Sequence, residues 1–563
     1  MLNDIKLYFP KPTFRPNQEQ ILKDAFNELE KGTKVVIIEG PTGFGKSPVN
    51  VAIGRKFKPA FYTTPQVKLV EQLNNDFGQK GLAIDGCSSS DIMALLGRKN
   101  YICKLSGTSS DECYGREEGC SKEEKCTYWK QKMATREADI AILTFAMLIV
   151  NTYLPETMGF PKRKLLIIDE CHGLEGQVAS MFAGFTITPG AFRYDGNIYM
   201  DWEIFLRKVP RFEKVKNKYI LANDYKEFIT EIGNIYEDFF RVITQQKDKI
   251  SQGSQDKVAN KLKQIEYLEQ SIKNDRKWII NLTKEHNQIT RIEFKPIDVD
   301  YFLQEKIWSQ AEQYVLSSAT IPFRYNVEKW LKRLGLKNES YAFLSAPMSF
   351  PIENRPILRT FMGGEMTYGN ESINFDSNVE KCREIIEQHP NERGVIHSVS
   401  FERGKKIAKA LDDESIFLHE YQYKKKTNKN EEENGEKEDI INDWQHSHKL
   451  ILISPSVFEG VDLKDDMCRY QILFKVPYPN TEDGRINYLV TEKKDWVWYM
   501  NETAKTVIQM YGRAVRSDID HATFYIVDGS FNKLLNNKTV KFPKWFLEAL
   551  DIKELTIDDY FSK

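Results

Sequence analysis

The sequence predicts an α/β fold built on parallel sheets. Short apolar runs of strand length recur along the chain, helical spacing follows several of them, and a glycine-rich turn joins the first run to a helix. From Lys34 the residues read VVIIEGPTGFGKS: an apolar run, a turn and a helix start. A second strand is expected at Ala60–Thr64, followed by Val67, Val70 and Leu73 at helical spacing. Leu165–Asp169 and Tyr314–Thr320 are the third and fourth strands.

Between those two lies a long insert without such runs. Phe228, Ile232, Ile235, Phe239 and Val242 mark one amphipathic helix there, and Val258, Leu262, Ile265, Leu268 and Ile272 mark another. Thr188 to Asp300 is therefore expected to be mostly helical. After Met348 the alternation resumes with strands at Gly394–Val399, Leu450–Ser454, Gln471–Val476 and Phe524–Asp528. The polar, low-complexity stretch Lys424–Asp439 is expected as a mobile loop. There is no internal repeat.

A chain of 563 residues predicts roughly three to five domains. Its 41% hydrophobic and 29% charged residues are those of a globular protein. With 80 Lys+Arg against 81 Asp+Glu it is no polycation, so a nucleic-acid surface must be a local groove. The longest apolar stretch, Ile140–Val150, is short of the roughly 20 residues of a membrane span. The amino terminus has an early acid and no apolar core, unlike a signal peptide. A cytoplasmic chain is expected.

Gly40-Pro41-Thr42-Gly43-Phe44-Gly45-Lys46-Ser47 fits GxxxxGK[ST] in its required setting, after a strand and opening a helix. Backbone N–H groups of such a loop wrap phosphates, and the helix amino terminus favours their charge. Lys46 would neutralise the β- and γ-phosphates of ATP and Ser47 would ligate Mg²⁺. Pro48 needs no N–H partner at that position. Asp169 and Glu170 end an apolar run, and the carboxyl ends of buried strands are where open α/β sheets place ligands. Asp169 suits Mg²⁺, and Glu170 suits polarising the attacking water. A chance glycine turn and a solvated strand end are the bland alternatives; together the motifs point to ATP hydrolysis.

The motif order resembles the iron–sulfur XPD and DinG group of superfamily 2 helicases. FRPNQ (Phe14–Gln18) is similar to a nucleotide-base motif, with Gln18 its adenine reader. YTTPQ (Tyr62–Gln66) resembles motif Ia, DECH (Asp169–His172) motif II, SAT (Ser318–Thr320) motif III, IHSVS (Ile396–Ser400) motif IV and FEGVD (Phe458–Asp462) motif V. QMYGRAVR (Gln509–Arg516) matches QxxGRxxR of motif VI. The resemblance runs from residue 14 to 516. It implies two RecA-like motor domains with parallel sheets, an inserted iron–sulfur domain and a helical Arch domain. The implied bounds are 1–84, 136–187 and 301–345 for the first motor domain, 85–135 for the iron–sulfur domain, 188–300 for the Arch and 346–563 for the second motor domain.

The resemblance further implies an ATP-dependent DNA helicase moving 5′ to 3′ on single-stranded DNA, unwinding duplex or forked DNA and working as a monomer. A DNA translocase with little unwinding and a non-motor ATPase scaffold stay open, and no separate nuclease module is visible. Gln509, Arg513 and Arg516 would serve the reaction, with Glu459 and Asp462 linking the ATP cleft to the nucleic-acid groove. Arg513 and Arg516, three apart, would share a face if helical and reach the γ-phosphate from the second lobe. An exposed basic helix face is the alternative. Two departures are Cys171, where the family has Ala, and Thr144-Phe145-Ala146, where it has Asn-Tyr or Asn-His.

Of eight cysteines, Cys103, Cys113, Cys120 and Cys126 cluster as C-x9-C-x6-C-x5-C, while Cys87, Cys171, Cys382 and Cys468 are scattered. The absence of C-x2-C pairs disfavours zinc ribbons, and four thiolates suit a [4Fe–4S] cluster. Zinc and four unrelated thiols stay open; the family position favours [4Fe–4S]. Arg207, Lys208, Arg211, Lys214, Lys216 and Lys218 form a basic run, either a solvated face or a phosphate contact. Tyr101, Tyr114, Tyr128 and Trp129 either stack on bases or fill a small core.

Overall fold

The computed structural model describes residues 2–78, 91–113, 126–154, 157–212, 219–246, 250–420, 433–457, 461 and 463–551. The first lobe is a seven-stranded, all-parallel sheet. Its order is Tyr341–Ser345, Val35–Glu39, Ala311–Ser318, Arg163–Asp169, Ala60–Thr64, Ile140–Thr144 and Ile92–Leu95. The central strands read as unbroken apolar runs because helices cover both faces, burying Val36 and Ile38 on one side and Val35 and Ile37 on the other. Glu39 pairs with Ser318, and Ser317 with Asp169. That register brings the strand ends before the phosphate loop, SAT and DECH to one edge.

Three of these strands were not expected. Ile140–Thr144 is half of the long apolar stretch, divided where Thr144 Oγ1 accepts from the Met147 N–H at 3.1 Å and caps the helix Phe145–Thr152. Ile92–Leu95 has only four residues, and Tyr341–Ser345 is a partly exposed edge strand, so neither stands out as an apolar run. Ile92–Leu95 lies inside the stretch expected as the cluster domain, yet it pairs with Ile140–Thr144. The helix Thr127–Glu137 follows it, with Gln131 Nε2 donating to the Ala94 carbonyl at 2.8 Å. Ile92–Leu95 and Thr127–Glu137 thus belong to the first lobe.

The insert has its two expected helices, Lys226–Gln245 and Gln252–Lys273, together with strands that were not expected. Phe185–Ile187, Gln288–Pro296 and Trp278–Glu285 form a three-stranded antiparallel sheet that shares their core through Phe185, Trp278, Ile280 and Phe294. Its hairpin turns at His286 and Asn287, both left-handed (φ 48° and 65°), the conformation that matches strand twist in a two-residue turn. The outer half of the hairpin is exposed and charged, which hides the period of two.

The second lobe is a six-stranded parallel sheet in the order Ile357–Leu358, Thr523–Ile526, Tyr470–Leu473, Gly394–His397, Ile451–Ser454 and Ile416–Leu418. The expected loop Lys424–Asp439 is corrected over its second half, where a helix spans Glu433–His446. Buried Ile440, Ile441 and Trp444 anchor that helix, and the Glu- and Lys-rich residues before them are good helix formers. Residues 424–432 lie outside the described residues.

Candidate nucleotide site

The phosphate loop is held from several sides. Buried Glu39, the last residue before it, receives Arg324 Nε at 2.6 Å and Ser345 Oγ at 2.7 Å. Gly43 and Gly45 have φ of 79° and 76°, where a side chain is strained, and a Cβ on Gly43 would fall 1.9 Å from the Phe350 ring. Gly45 then caps the helix Lys46–Lys56, aiming its amino terminus into the loop. Thr42 Oγ1 donates across the lobes to the Gly512 carbonyl at 3.2 Å.

Gln18 lies against this loop, buried, with its amide bonded within the protein. Nε2 donates to the Phe44 and Gly45 carbonyls at 2.8 and 3.0 Å, and Oε1 accepts from the Arg15 N–H at 2.7 Å. Arg15 Nη1 also donates to the Gly43 carbonyl at 2.8 Å. Arg15 was given no role from sequence, although it stands within the FRPNQ motif.

Lys46 Nζ lies 3.6 Å from Glu170 Oε1, so the loop lysine and the second carboxylate converge. Asp169 Oδ1 accepts from the Glu170 N–H at 3.0 Å and Oδ2 from the Tyr62 hydroxyl at 3.0 Å. Burial and then Glu170 raise the Asp169 pKa above the usual carboxylate range. Burial would raise Glu170 too, but Lys46, His172 and Arg513 outweigh it and hold Glu170 well below that range. An ionised Glu170 can accept a proton from water, and Ser47 and Asp169 are the hard oxygen donors that Mg²⁺ prefers.

His172 links both carboxylate and lobes. Its Nδ1 is 2.7 Å from Ser318 Oγ and 3.2 Å from Glu170 Oε2, while its Nε2 meets the amide nitrogen of Gln509 from the second lobe. Its Nδ1 thus faces Ser318 and Glu170 while its Nε2 faces Gln509. Lys505 Nζ adds a 3.4 Å contact to the His172 carbonyl. His172 and Ser318 stood in the quoted DECH and SAT motifs without assigned roles.

Motif VI differs from expectation. The helix Trp496–Tyr511 ends at Gly512, so Arg513 and Arg516 leave it in a turn and do not share a helix face. Burial of Ala514 and Val515 in the lobe core draws the chain inward there. Arg513 Nη1 donates to the Val461 carbonyl at 3.2 Å, and its charge reaches Glu170. The Arg516 N–H donates to Asp520 at 3.0 Å. Glu459 and Asp462 lie outside the described residues.

Five residues beyond Glu170, Glu175 closes a junction of lobes and insert. It receives Arg333 at 2.9 and 2.6 Å and Arg485 Nη2 at 2.8 Å. Arg333 Nη1 also bonds Asp495 at 2.7 Å, and Arg485 Nε donates to the insert's Pro296 carbonyl at 3.0 Å. The side chains of Glu175, Arg333 and Arg485 are 13%, 13% and 7% exposed. Glu175→Ala leaves two arginines short of a buried partner, which costs about 3–5 kcal/mol. The expected result is a lower unfolding midpoint than wild type; an unchanged midpoint would contradict this reading of the junction.

Of the four clustered cysteines, Cys103, Cys113 and Cys126 are partly buried and Cys120 lies outside the described residues. Cys126 Sγ caps the helix Thr127–Glu137, accepting from the Trp129 N–H at 3.4 Å. The Cys113 carbonyl accepts from the Gln252 N–H at 2.7 Å, docking this segment on the start of an insert helix. Among the described residues no three His, Cys, Asp or Glu side chains form a metal-holding group. Tyr101 and Tyr128 pack edge to face at 5.6 Å against the first-lobe core, so these two fill a core. Lys208 pairs with Glu231, while Lys214, Lys216, Lys218 and Tyr114 lie outside the described residues. No described helix is long and apolar enough to cross a membrane.

Residues 382–549 match a family described as helicase C-terminal domain, and residues 11–187 match the res subunit of type III restriction enzymes. The ATP-dependent DNA helicase CHL1 of Saccharomyces cerevisiae is 23% identical over 137 residues, 21% of this chain and 15% of that protein. A probable ATP-dependent helicase of Methanocaldococcus jannaschii is 30% identical over 132 residues, 23% of this chain and 18% of that one. The matched stretches are thus less than a fifth of either relative. A solved XPD helicase has a similar fold, with TM-score 0.60 at 14% identity, covering 94% of this chain and 98% of that one. The S. tokodaii Xpd4 structure gives 0.54 at 14% identity, covering 95% and 99%.

Proposed function

We propose that this chain, an XPD/DinG-like member of helicase superfamily 2, is an ATP-dependent DNA helicase that couples hydrolysis to closure of its two lobes. One observation carries the reading: His172 joins Glu170 of the first lobe to Gln509 of the second. A base tied to the opposite lobe is sensitive to how that lobe sits, which is what a motor needs. In the proposed reaction Lys46 and the loop N–H groups bind the phosphates, and Glu170 takes the proton of the attacking water. Arg513 meets the charge that develops on the γ-phosphate. Mg²⁺, held by Ser47 and Asp169, would supply charge neutralisation between the β- and γ-phosphates.

Movement 5′ to 3′ on a single strand, action on forked DNA, service as a monomer and a cytoplasmic setting rest on the family resemblance. The test is hydrolysis with and without single-stranded DNA. Stimulation by a single strand, lost in Lys46→Ala, is the expected result; hydrolysis indifferent to DNA would contradict a DNA motor.

The reading includes a [4Fe–4S] cluster on Cys103, Cys113, Cys120 and Cys126. Four thiols within 24 residues at the family's position for such a cluster support it. Anaerobically purified protein is expected to contain about four irons per chain, and Cys120→Ser to lose both iron and the brown absorbance. One zinc and no iron in wild type would overturn the cluster while leaving the motor intact.

A further inference from the structure

Tyr62 stands in the middle of the Ala60–Thr64 strand, fully buried, and its hydroxyl meets Asp169, one of the two side chains assigned to Mg²⁺. It meets Asp169 Oδ2 at 3.0 Å and Asn50 Nδ2 at 3.3 Å. The directions follow from the groups. The Asn50 amide nitrogen only donates, and an ionised Asp169 only accepts, so the phenol proton goes to Asp169. The phenol oxygen in turn accepts from the Asn50 amide.

The consequence falls on Asp169. An aspartate whose Oδ2 accepts from Tyr62 and whose Oδ1 accepts from the Glu170 N–H is fixed in one rotation. Its remaining lone pairs are those available to a metal. Asn50 in turn is a buried residue of the helix Lys46–Lys56, with its Oδ1 unpartnered among the described residues. We propose that Tyr62 is a positioning residue for Mg²⁺, setting the orientation of Asp169 before nucleotide arrives. This rests on the assignment of the nucleotide site above. Hydrogen bonds of this kind behind a metal ligand change metal affinity by about 10–100-fold when removed.

Tyr62→Phe deletes the hydroxyl and keeps the ring that packs in the sheet. The probe is Mn²⁺ in the presence of ADP, with bound metal read by electron paramagnetic resonance. Wild type should bind Mn²⁺ with ADP, and Tyr62→Phe should bind it about 10–100-fold more weakly. Binding of ADP in EDTA should be unchanged in the variant, because the loop and Lys46 are untouched. The half-saturating Mg²⁺ for hydrolysis should rise in step, with turnover recovering at high Mg²⁺. Asn50→Ala, which removes the amide behind the phenol and keeps the hydroxyl, should weaken Mn²⁺ by less. Equal Mn²⁺ affinity in Tyr62→Phe and wild type would overturn the role of Tyr62 while leaving the nucleotide site standing. Failure of wild type to bind Mn²⁺ with ADP would overturn the nucleotide site, and this inference with it.

Discussion

The Glu170→Gln protein is expected to bind ATP and to turn it over about 10²–10⁴-fold more slowly than wild type. The substitution keeps the shape of the side chain and removes the base. It also removes the charge that Lys46 approaches at 3.6 Å. That frees Lys46 for the phosphates, so nucleotide affinity should hold or rise. The loop itself is fixed by other contacts, from Arg15 and Gln18 on one side and from Arg324 through Glu39 on the other. Nucleotide binding and single-turnover hydrolysis measured on one preparation separate the two effects. Wild-type turnover in Glu170→Gln would remove Glu170 from the reaction.

Arg513→Ala is the second large effect. A loss on the order of a hundredfold or more in turnover is expected, with ATP affinity much less changed, because the guanidinium acts on charge that develops during the reaction. Arg513 sits in the turn after Gly512, whose carbonyl receives Thr42 of the phosphate loop, so the arginine is carried next to the loop by the same short segment. Arg513→Lys should recover only part of the loss, since a lysine lacks the planar fork. Normal hydrolysis in Arg513→Ala together with failed DNA binding would make Arg513 a contact to the DNA backbone.

Local signals were legible in the sequence. The phosphate loop could be read because its chemistry is contained in eight consecutive residues, flanked by a strand and a helix. The Asp169-Glu170 pair could be read because a buried parallel strand is an apolar run with a defined end. Long-range chemistry was not legible from spacing. His172 meets Gln509 across 337 positions, and no periodicity links a histidine in one lobe to a glutamine in the other. Tyr62 looked like any aromatic in a buried strand, because its partners come from a helix and a neighbouring strand. The hairpin Trp278–Pro296 escaped because its outer half is charged, and the end of the motif VI helix escaped because Gly512 and the buried Ala514 and Val515 are a tertiary signal. The Glu175 junction draws on both lobes and the insert, so its partners are set by packing alone.

Strand displacement tests the central claim most directly. The full chain, with ATP and Mg²⁺, is offered a duplex with a 5′ single-stranded tail and the same duplex with a 3′ tail, alongside Glu170→Gln. Release of the displaced strand from the 5′-tailed duplex is expected, dependent on ATP and absent in Glu170→Gln. Release from the 3′-tailed duplex alone would reverse the polarity. ATP hydrolysis stimulated by single-stranded DNA with no strand released from either duplex would contradict the helicase assignment.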